Sequence, residues 1–292
     1  MKTPLRYPGG KSRAVKHILP HIPKNLGKDG LCSPFLGGGS VELAVAARDE
    51  GRTTVYGYDL FEPLVCFWQK LLGNPEKLAN RSDKLRREHE NYILNEKDVR
   101  GLLREDFIRL REELRVELES KLGYSLDSLD NAAKFYAINR SSFSGATFSG
   151  GWSERASYAR FTDSSIERIR KFSEPNLKVK HAHFKTSIAK HPRAFLYLDP
   201  PYYLGKQKDK LYGNKGDAHS AFDHEGLYEC LSKRVNTNWV LSYNDCEYVR
   251  DKYSGYEIIE AAWAYGMKNV KAKNITEKKE MGSSSELLII GQ

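Results

Sequence analysis

The sequence predicts an α/β protein built on a Rossmann-like, doubly wound sheet, with a mainly helical insertion between the two parts of that sheet. Three observations support this prediction. A strand, a glycine turn, a helix and a second strand follow one another within the first 60 residues. A charged, leucine-rich segment comes next, and strand patterns return only from about residue 177 onwards.

The first unit begins with the apolar run LCSPFL at 31–36 and turns at Gly37-Gly38-Gly39. The following SVELAVAARDEG repeats apolar residues at helical spacing and stops at Gly51. The next segment, TTVYGYDL, is rich in β-branched and aromatic residues and places Asp59 at the end of a second strand.

The middle of the chain differs in composition. From Leu71 to Leu122 it mixes charge with leucine at helical period, and no strand pattern interrupts it. Residues 139–162, NRSSFSGATFSGGWSERASYARFT, are small and Ser- and Gly-rich, which indicates an irregular loop region or a hairpin. We therefore predict an inserted domain at 73–177.

The sheet is expected to resume after this insertion. LKVKHAHF (177–184), AFLYLDPPYY (194–203), NWVLSYN, YEIIEAAWAY and ELLIIG have strand patterns, and HEGLYECLSKRV has a helical one. The stretch 267–285 is predicted to be a mobile basic loop between the last two strands. The main domain is thus assigned to 1–72 and 178–292.

Composition narrows the class of protein. A chain of 292 residues with 40% hydrophobic content can bury a substantial core, and a net charge of +9 favours a polyanionic partner such as nucleic acid. The four cysteines form no C-x-x-C pair and no metal-ligand spacing. Because the sequence has neither a signal peptide nor an apolar run of about 18 residues, we expect a soluble, cytoplasmic protein without a membrane partner.

The glycine turn favours a ligand site but not a nucleoside triphosphate site. A P-loop ending at Gly10-Lys11 would need glycine where Leu5 stands, and a dinucleotide fingerprint would need glycine where Glu42 stands. A glycine turn followed about 20 residues later by an acid can hold a ribose, with Asp59 accepting from its hydroxyls. An ordinary turn beside a solvated aspartate is the alternative.

The segment Asp199-Pro200-Pro201-Tyr202 predicts a site for a planar amine. An aromatic amino group is a poor nucleophile because its lone pair is delocalised into the ring. Asp199 and the backbone carbonyl of Pro200 could accept from its two N–H bonds and favour pyramidal geometry, while Tyr202 stacks on the base. A strand-terminating turn with a helix N-cap is the structural alternative.

PGGK, SPFLGGGS, YDL, NRSSFSG and LDPPYY occur in this order, followed by SYND and SSELLII. Together they resemble the Dam-type (D12 class) DNA adenine N6-methyltransferases over nearly the full length. The resemblance implies a Rossmann-like sheet that binds S-adenosyl-L-methionine, an insertion that recognises DNA, and methyl transfer to an adenine that has left the duplex stack.

The resemblance also assigns residues. The catalytic segment is Asp199, Pro200, Pro201 and Tyr202. The cofactor-binding residues are Tyr7, Gly9, Gly10, Lys11, Phe35, Gly37, Gly39, Asp59, Phe184 and Asp199. The insertion would contact DNA through Asn139, Arg140, Arg155 and Arg160, and no metal is required.

Two residues depart from the family pattern. Ser33 stands where the family commonly has an acidic residue, and His183 stands where many relatives have an aspartate that contacts the cofactor adenine. A neutral histidine could replace that aspartate as a hydrogen-bonding group, or it could be a core histidine.

Double-stranded DNA is the expected partner of a monomeric enzyme, and a restriction endonuclease is a candidate second partner. Two rival functions remain at this stage. One is an amino-methyltransferase for cytosine N4 or RNA adenine, and the other is a catalytically silent DNA-binding regulator.

Overall fold

A seven-stranded sheet forms the centre of the protein, here described from a computed structural model. The described residues are 2–48, 52–88, 93–94, 97–98, 101–203, 205, 222–234, 238–261 and 286–291. The sheet strands are β1 (Leu31–Ser33), β2 (Val55–Asp59), β5 (Leu177–His181), β6 (Phe195–Leu198), β7 (Trp239–Asn244), β8 (Glu257–Ala261) and β9 (Glu286–Gly291). A separate two-residue pair is formed by β3 (Ile93–Leu94) and β4 (Lys97–Asp98).

The strand order is β5-β2-β1-β6-β7-β9-β8. Strands β5, β2, β1, β6 and β7 run parallel, whereas β9 is antiparallel to both β7 and β8. The chain proceeds from β1 in one direction to β2 and later in the other direction to β6. The crevice at the carboxyl ends of β1 and β6 is therefore the topological switch point, where α/β sheets bind ligands. The predicted doubly wound α/β class is confirmed.

Helices cover the sheet on both sides. Their bounds are α1 (Val15–Ile18), α2 (Ser40–Arg48), α3 (Glu62–Gly73), α4 (Pro75–Arg86), α5 (Arg104–Leu118), α6 (Leu129–Ser141), α7 (Glu154–Arg160), α8 (Asp163–Arg170), α9 (Phe184–Lys190), α10 (His224–Ser232) and α11 (Glu247–Lys252). Short 3-10 turns occur at Lys11–Arg13, Leu19–His21, Gly27–Asp29 and Phe143–Gly145.

The strands alternate between two apolar layers because successive side chains point to opposite faces of a sheet. In β6, Phe195 and Tyr197 join the layer that contains α2 and α3, whereas Leu196 and Leu198 join the layer that contains α9, α10 and α11. Burial on both faces explains why β6 is apolar throughout.

The segment 73–177 is mainly helical, as predicted, but its core is not separate. Buried side chains of α4, α5, α6 and α8 belong to the same apolar cluster as α2 and α3, and α6 packs against α3. The expectation that no strand interrupts 71–122 is wrong in detail, because β3 and β4 pair within it. That this segment forms a distinct domain stays a prediction.

Two local assignments differ from the sequence prediction. Strand β5 ends at His181 rather than extending to 184, because His183 becomes the N-cap of α9. The region 139–162 is more regular than expected: α6 continues to Ser141 and α7 begins at Glu154, with a closed loop between them. The basic stretch 267–285 lies outside the described residues.

Candidate active site

A cavity of about 590 Å³ opens at the carboxyl ends of β1, β2 and β6. Its volume lies within the range typical of small-molecule and cofactor sites. The structure brings together in its lining every residue that the sequence assigned to cofactor binding or catalysis: Tyr7, Gly9, Gly10, Lys11, Phe35, Gly37, Gly39, Asp59, Phe184, Asp199, Pro200, Pro201 and Tyr202.

The glycine turn allows a close approach between its backbone and an aromatic ring. Gly37 has a φ of 48°, which disfavours side chains, and a Cβ there would lie 2.9 Å from Cε1 of Tyr7. A Cβ on Gly38 would lie equally close, 2.9 Å from the Cβ of Tyr7. Tyr7 therefore packs directly on the turn that follows β1, and joins the N-terminal segment to the sheet.

Asp59 fixes the same turn from the neighbouring strand. Its Oδ2 accepts from the backbone N–H of Gly37 at 3.0 Å, and its Oδ1 accepts from that of Phe61 at 3.0 Å. Burial raises the pKa of Asp59, and these backbone hydrogen bonds oppose that effect. A carboxylate has about four lone-pair sites, so one remains for a ligand hydroxyl beside the backbone N–H groups of Gly37, Phe61 and Leu60.

Three phenylalanines form an aromatic wall on the side of the cavity next to β5. The ring centroid of Phe35 lies 5.7 Å from that of Phe184 and 5.5 Å from that of Phe222, and the last two lie 5.4 Å apart. Such rings offer apolar surface to a planar aromatic ligand. Phe222 was not predicted, because the residues that precede it carry no pattern that would place it there.

His183 lies at the same wall. Its side chain is exposed and lines the cavity, so the interpretation as a core histidine is wrong. Its Nδ1 accepts from the backbone N–H of Lys185 at 3.3 Å, at the start of α9. In the neutral ring with this hydrogen bond, Nε2 carries the proton and is a donor.

Lys11 connects the N-terminal segment to the end of β6. Its Nζ donates to Asp199 Oδ1 at 2.7 Å, to Asp199 Oδ2 at 2.8 Å and to the hydroxyl of Tyr202 at 2.8 Å. Only 4% of the lysine side chain is exposed. Lys11 lines the cavity, and its ammonium group binds Asp199 and Tyr202 of the predicted catalytic segment.

Two buried glutamates complete this cluster. Glu286 accepts from the Tyr202 hydroxyl, and its Oε1 lies 3.6 Å from Nζ of Lys11. Glu42 lines the cavity and accepts from the Ser33 hydroxyl at 2.6 Å. Sequence patterns did not single out Glu42 or Glu286 as site residues, since each occurs in an apolar helix or strand whose neighbours give no motif for it.

The electrostatics of the cluster follow from burial. Burial raises the pKa of Asp199, while the ammonium group of Lys11 and the Tyr202 hydroxyl oppose that shift. Burial also raises the pKa of Tyr202 well above its usual range, so its hydroxyl remains protonated. The arrangement holds a carboxylate at a fixed orientation at the end of β6.

The four predicted DNA-binding residues do not share one exposed surface. Asn139 is buried and donates to the carbonyl oxygens of Arg6 and Gly145. Arg140 is buried and donates to the carbonyl of Arg160. These two residues stabilise the protein's own loops, an arrangement that does not fit the predicted DNA contacts. Arg155 and Arg160 are exposed.

Arg6 joins a cationic cluster that the sequence did not reveal. Its guanidinium donates to the carbonyl of Ser142 at 3.0 Å. Burial, together with the positive charges of Arg140 and Arg160, lowers the pKa of Arg6 to about 10. At neutral pH the positive charges of Arg6, Arg140 and Arg160 therefore lie together beside the loop 142–153.

That loop covers one side of the cavity and is closed at its base. Ser142 and Trp152 form an antiparallel bridge, and Gly145, Ala146, Thr147 and Ser149 contribute to the cavity lining. The adjacent Phe143 is 62% exposed, and Ser144 has a φ of 53°. An exposed aromatic residue is thus held on a tight turn beside the cavity mouth.

Neither a metal site nor a reactive thiolate finds support in the part of the chain that the structure describes. That part contains no group of three or more His, Cys, Asp or Glu side chains arranged to hold a metal ion. Burial raises the pKa of Cys32 and of Cys66 to about 12, so neither is a thiolate at neutral pH. No helix in the same described part is long and apolar enough to cross a membrane.

A family model matches most of the chain. The model of the family described as D12 class N6 adenine-specific DNA methyltransferase matches residues 7–267. This range includes the glycine turn, the aromatic wall, the insertion and the catalytic segment. No curated protein matches the chain.

Proposed function

The chain belongs to the D12 class of N6 adenine-specific DNA methyltransferases, and we propose that the cavity at the ends of β1, β2 and β6 holds both the methyl donor and the target adenine. The enzyme transfers a methyl group from S-adenosyl-L-methionine to N6 of adenine in DNA. The observation that carries the proposal is the Lys11–Asp199 pair, which fixes the catalytic segment beside the cofactor-sized cavity.

The residues of the cavity fit the cofactor. S-Adenosyl-L-methionine, when bound, supplies an activated methyl group and carries positive charge on its sulfonium and ammonium groups. In the described residues of the cluster, the carboxyl groups of Asp199, Glu286 and Glu42 outnumber the single cation of Lys11. This excess of carboxyl groups over cations complements a positively charged ligand.

The other end of the cofactor fits the β2 and β5 side of the cavity. Phe35, Phe184 and Phe222 offer a surface to its adenine ring. Asp59, with one oxygen next to the glycine turn and the other at the start of α3, is suited to accept from the ribose hydroxyls.

The target amine is proposed to lie against the catalytic segment. Asp199 and the carbonyl of Pro200 accept from its two N–H bonds and favour pyramidal geometry at nitrogen as it attacks the methyl group. Lys11 leaves lone pairs of the Asp199 carboxylate available and fixes its orientation. Tyr202, held through its hydroxyl by Lys11 and Glu286, presents its ring to the base.

The adenine has to leave the duplex to reach this cavity, because its amino group is otherwise paired. Phe143 is exposed beside the cavity mouth and is suited to insert into the stack, as apolar side chains do in other DNA-deforming proteins. Ser144 and Gly145, both with positive φ, hold the turn that carries it.

The positive cluster beside the loop is proposed to bind the phosphates that flank the flipped base. Arg6 and Arg160 are its accessible members, and Arg155 lies in the first turn of α7, the helix that ends at Arg160. In this proposal the segment 73–177 recognises DNA, and buried Asn139 and Arg140 hold it against the N-terminal segment. Family membership argues against cytosine N4, RNA adenine or a silent regulator as the function.

Two linked experiments test the flipped-base proposal. Sequencing of modified adenines in DNA from a methylation-free host that expresses the chain gives the recognition site. A duplex with 2-aminopurine at the target position should then become strongly fluorescent on binding the enzyme, because the probe loses its stacking partners. A matched duplex with the probe outside the site is the control, and equal fluorescence from both would contradict base flipping.

A further inference from the structure

Glu42 is a buried carboxyl group that faces the cofactor cavity without a cation of its own. It lies in the first turn of α2, its exposure is 2%, and it contributes to the cavity lining. Among the described residues, its side chain accepts hydrogen bonds from the Ser33 hydroxyl at 2.6 Å and from its own backbone N–H, and no Lys, Arg or His nitrogen lies within 4.0 Å of it.

This environment disfavours the ionised form of the Glu42 carboxyl group. Burial raises the pKa of Glu42 to about 7, the hydrogen bond from Ser33 and the more distant Lys11 oppose the shift, and Asp199 adds to it. A buried carboxylate is normally stabilised by several donors or by an adjacent cation. A cationic ligand with N–H groups would supply the hydrogen-bond donors and the positive charge that the protein does not provide next to Glu42.

The position of Glu42 in the cavity indicates which part of the cofactor it meets. The aromatic wall and Asp59 belong to the β2 and β5 side, whereas Glu42 lies within electrostatic range of Lys11 and Asp199 on the β6 side. An adenosine bound against the wall leaves its methionine end on the Glu42 side. Of the two positive groups there, only the ammonium has N–H donors for a carboxylate, whereas the sulfonium has none.

We propose that Glu42, oriented by Ser33, binds the α-ammonium group of S-adenosyl-L-methionine. This inference rests on the proposed cofactor site and assigns a binding residue within it. It also accounts for Ser33, which stands where the family commonly has an acid: here the carboxylate comes from α2, and the serine on β1 positions it through a 2.6 Å hydrogen bond.

The variant Glu42→Gln tests the proposal, because glutamine keeps the size of the side chain and can still accept from Ser33. Calorimetry at about pH 8 compares two ligands, S-adenosyl-L-methionine and 5′-methylthioadenosine, which lacks the amino-acid part. We expect the affinity of the variant for the first ligand to fall about tenfold or more, as for a hydrogen bond to a charged group. Its affinity for the second ligand should change by less than about twofold.

Three results would overturn the proposal. Unchanged affinity for S-adenosyl-L-methionine would exclude Glu42 from binding the ammonium group, and an equal loss for both ligands would indicate altered cavity shape instead. Failure of the wild-type protein to bind S-adenosyl-L-methionine would reject the cofactor site itself, together with this inference. Ser33→Ala provides a second test that keeps the carboxyl group: its loss should likewise be confined to the ligand with the ammonium group.

Discussion

The ammonium group of Lys11 lies 2.7 and 2.8 Å from the two carboxylate oxygens of Asp199, although 188 positions separate the residues along the chain. This contact joins the PGGK segment at the N-terminus to the end of the central strand β6. It therefore couples folding of the N-terminal segment to the geometry of the catalytic segment. A cation buried between acids also has consequences that can be measured without any ligand.

Replacing Lys11 by methionine should destabilise the protein strongly. The change leaves the partly exposed carboxyl group of Asp199 and the buried one of Glu286 without their shared cation. Removal of one partner from a buried ion pair typically costs about 3 kcal/mol or more. Urea unfolding at about pH 8 measures the loss, with exposed Lys233→Met as the matched control, for which we expect a change within about 0.5 kcal/mol. Equal stability of the two variants would show that the pair contributes little.

Glu42 should make the stability of the wild-type protein depend on pH. Its folded-state pKa of about 7 lies above the usual glutamate value of 4.5. Between these values the unfolded chain releases the proton first, so this group's contribution to the free energy of unfolding falls as pH rises from about 4.5 to about 7, by up to roughly 3 kcal/mol. Above about pH 7 the contribution remains constant.

The variant Glu42→Gln lacks this titration. Its free energy of unfolding, minus that of the wild type, should therefore increase as pH rises through the same interval and then level off. Denaturant unfolding at several pH values gives both curves. Parallel curves would mean that Glu42 does not titrate in this range, and the raised pKa would have to be abandoned.

The parts of this site that sequence patterns predict are those at the ends of strands. The glycine turn after β1, Asp59 after β2 and Asp199 after β6 follow apolar runs, and the carboxyl ends of parallel strands meet at one edge of a sheet. The roles of Glu42 and Arg6 cannot be predicted in this way. Each gains its role from one distant neighbour, Ser33 or Arg160, and no local pattern records that proximity.

The arginines predicted to bind DNA show the same distinction. Arg140 and Arg160 look alike in the sequence, as arginines among small and aromatic residues, yet one is buried and one is exposed. The difference arises because α6 runs on through residue 140 and buries it between the N-terminal segment and the end of α7. Composition indicated a polyanionic partner correctly, but it could not tell which cations reach the surface.

The salt dependence of DNA binding should identify the arginines that contact phosphate. Substitution of both Arg6 and Arg160 by glutamine should reduce the slope of log K against log salt concentration by about 2, since each phosphate contact contributes about 0.9. Lys233→Gln is the control, because Lys233 is exposed and its neighbour Arg234 donates to the carbonyl of Ala194, just before β6 begins and thus at the end of that strand away from the cavity. Titrations at several salt concentrations measure both slopes. An unchanged slope in the double variant would place the phosphate contacts elsewhere.

Phe143→Ala should impair methylation mainly at the step that extracts the base. The loss of rate on a paired duplex should be about tenfold or more, because an inserted side chain offsets an unstacking cost of a few kcal/mol. A target adenine opposite a mismatch is already partly unstacked, so on that substrate the loss should be much smaller. Single-turnover rates on the two duplexes provide the comparison. Equal losses on both would argue that Phe143 acts after the base has left the stack.

The substitution Asp199→Asn tests the central claim, that Asp199 orients the target amine. Lys11 would hold the amide oxygen, so the amide NH₂ would face the N–H groups of adenine as a second donor. The measurement is the single-turnover rate of adenine methylation at saturating S-adenosyl-L-methionine and DNA, in a variant shown to be folded. We predict a loss of about 100-fold or more, the usual effect of removing a transition-state hydrogen bond. A rate within about threefold of the wild type, a difference of only roughly 0.7 kcal/mol, would contradict the account.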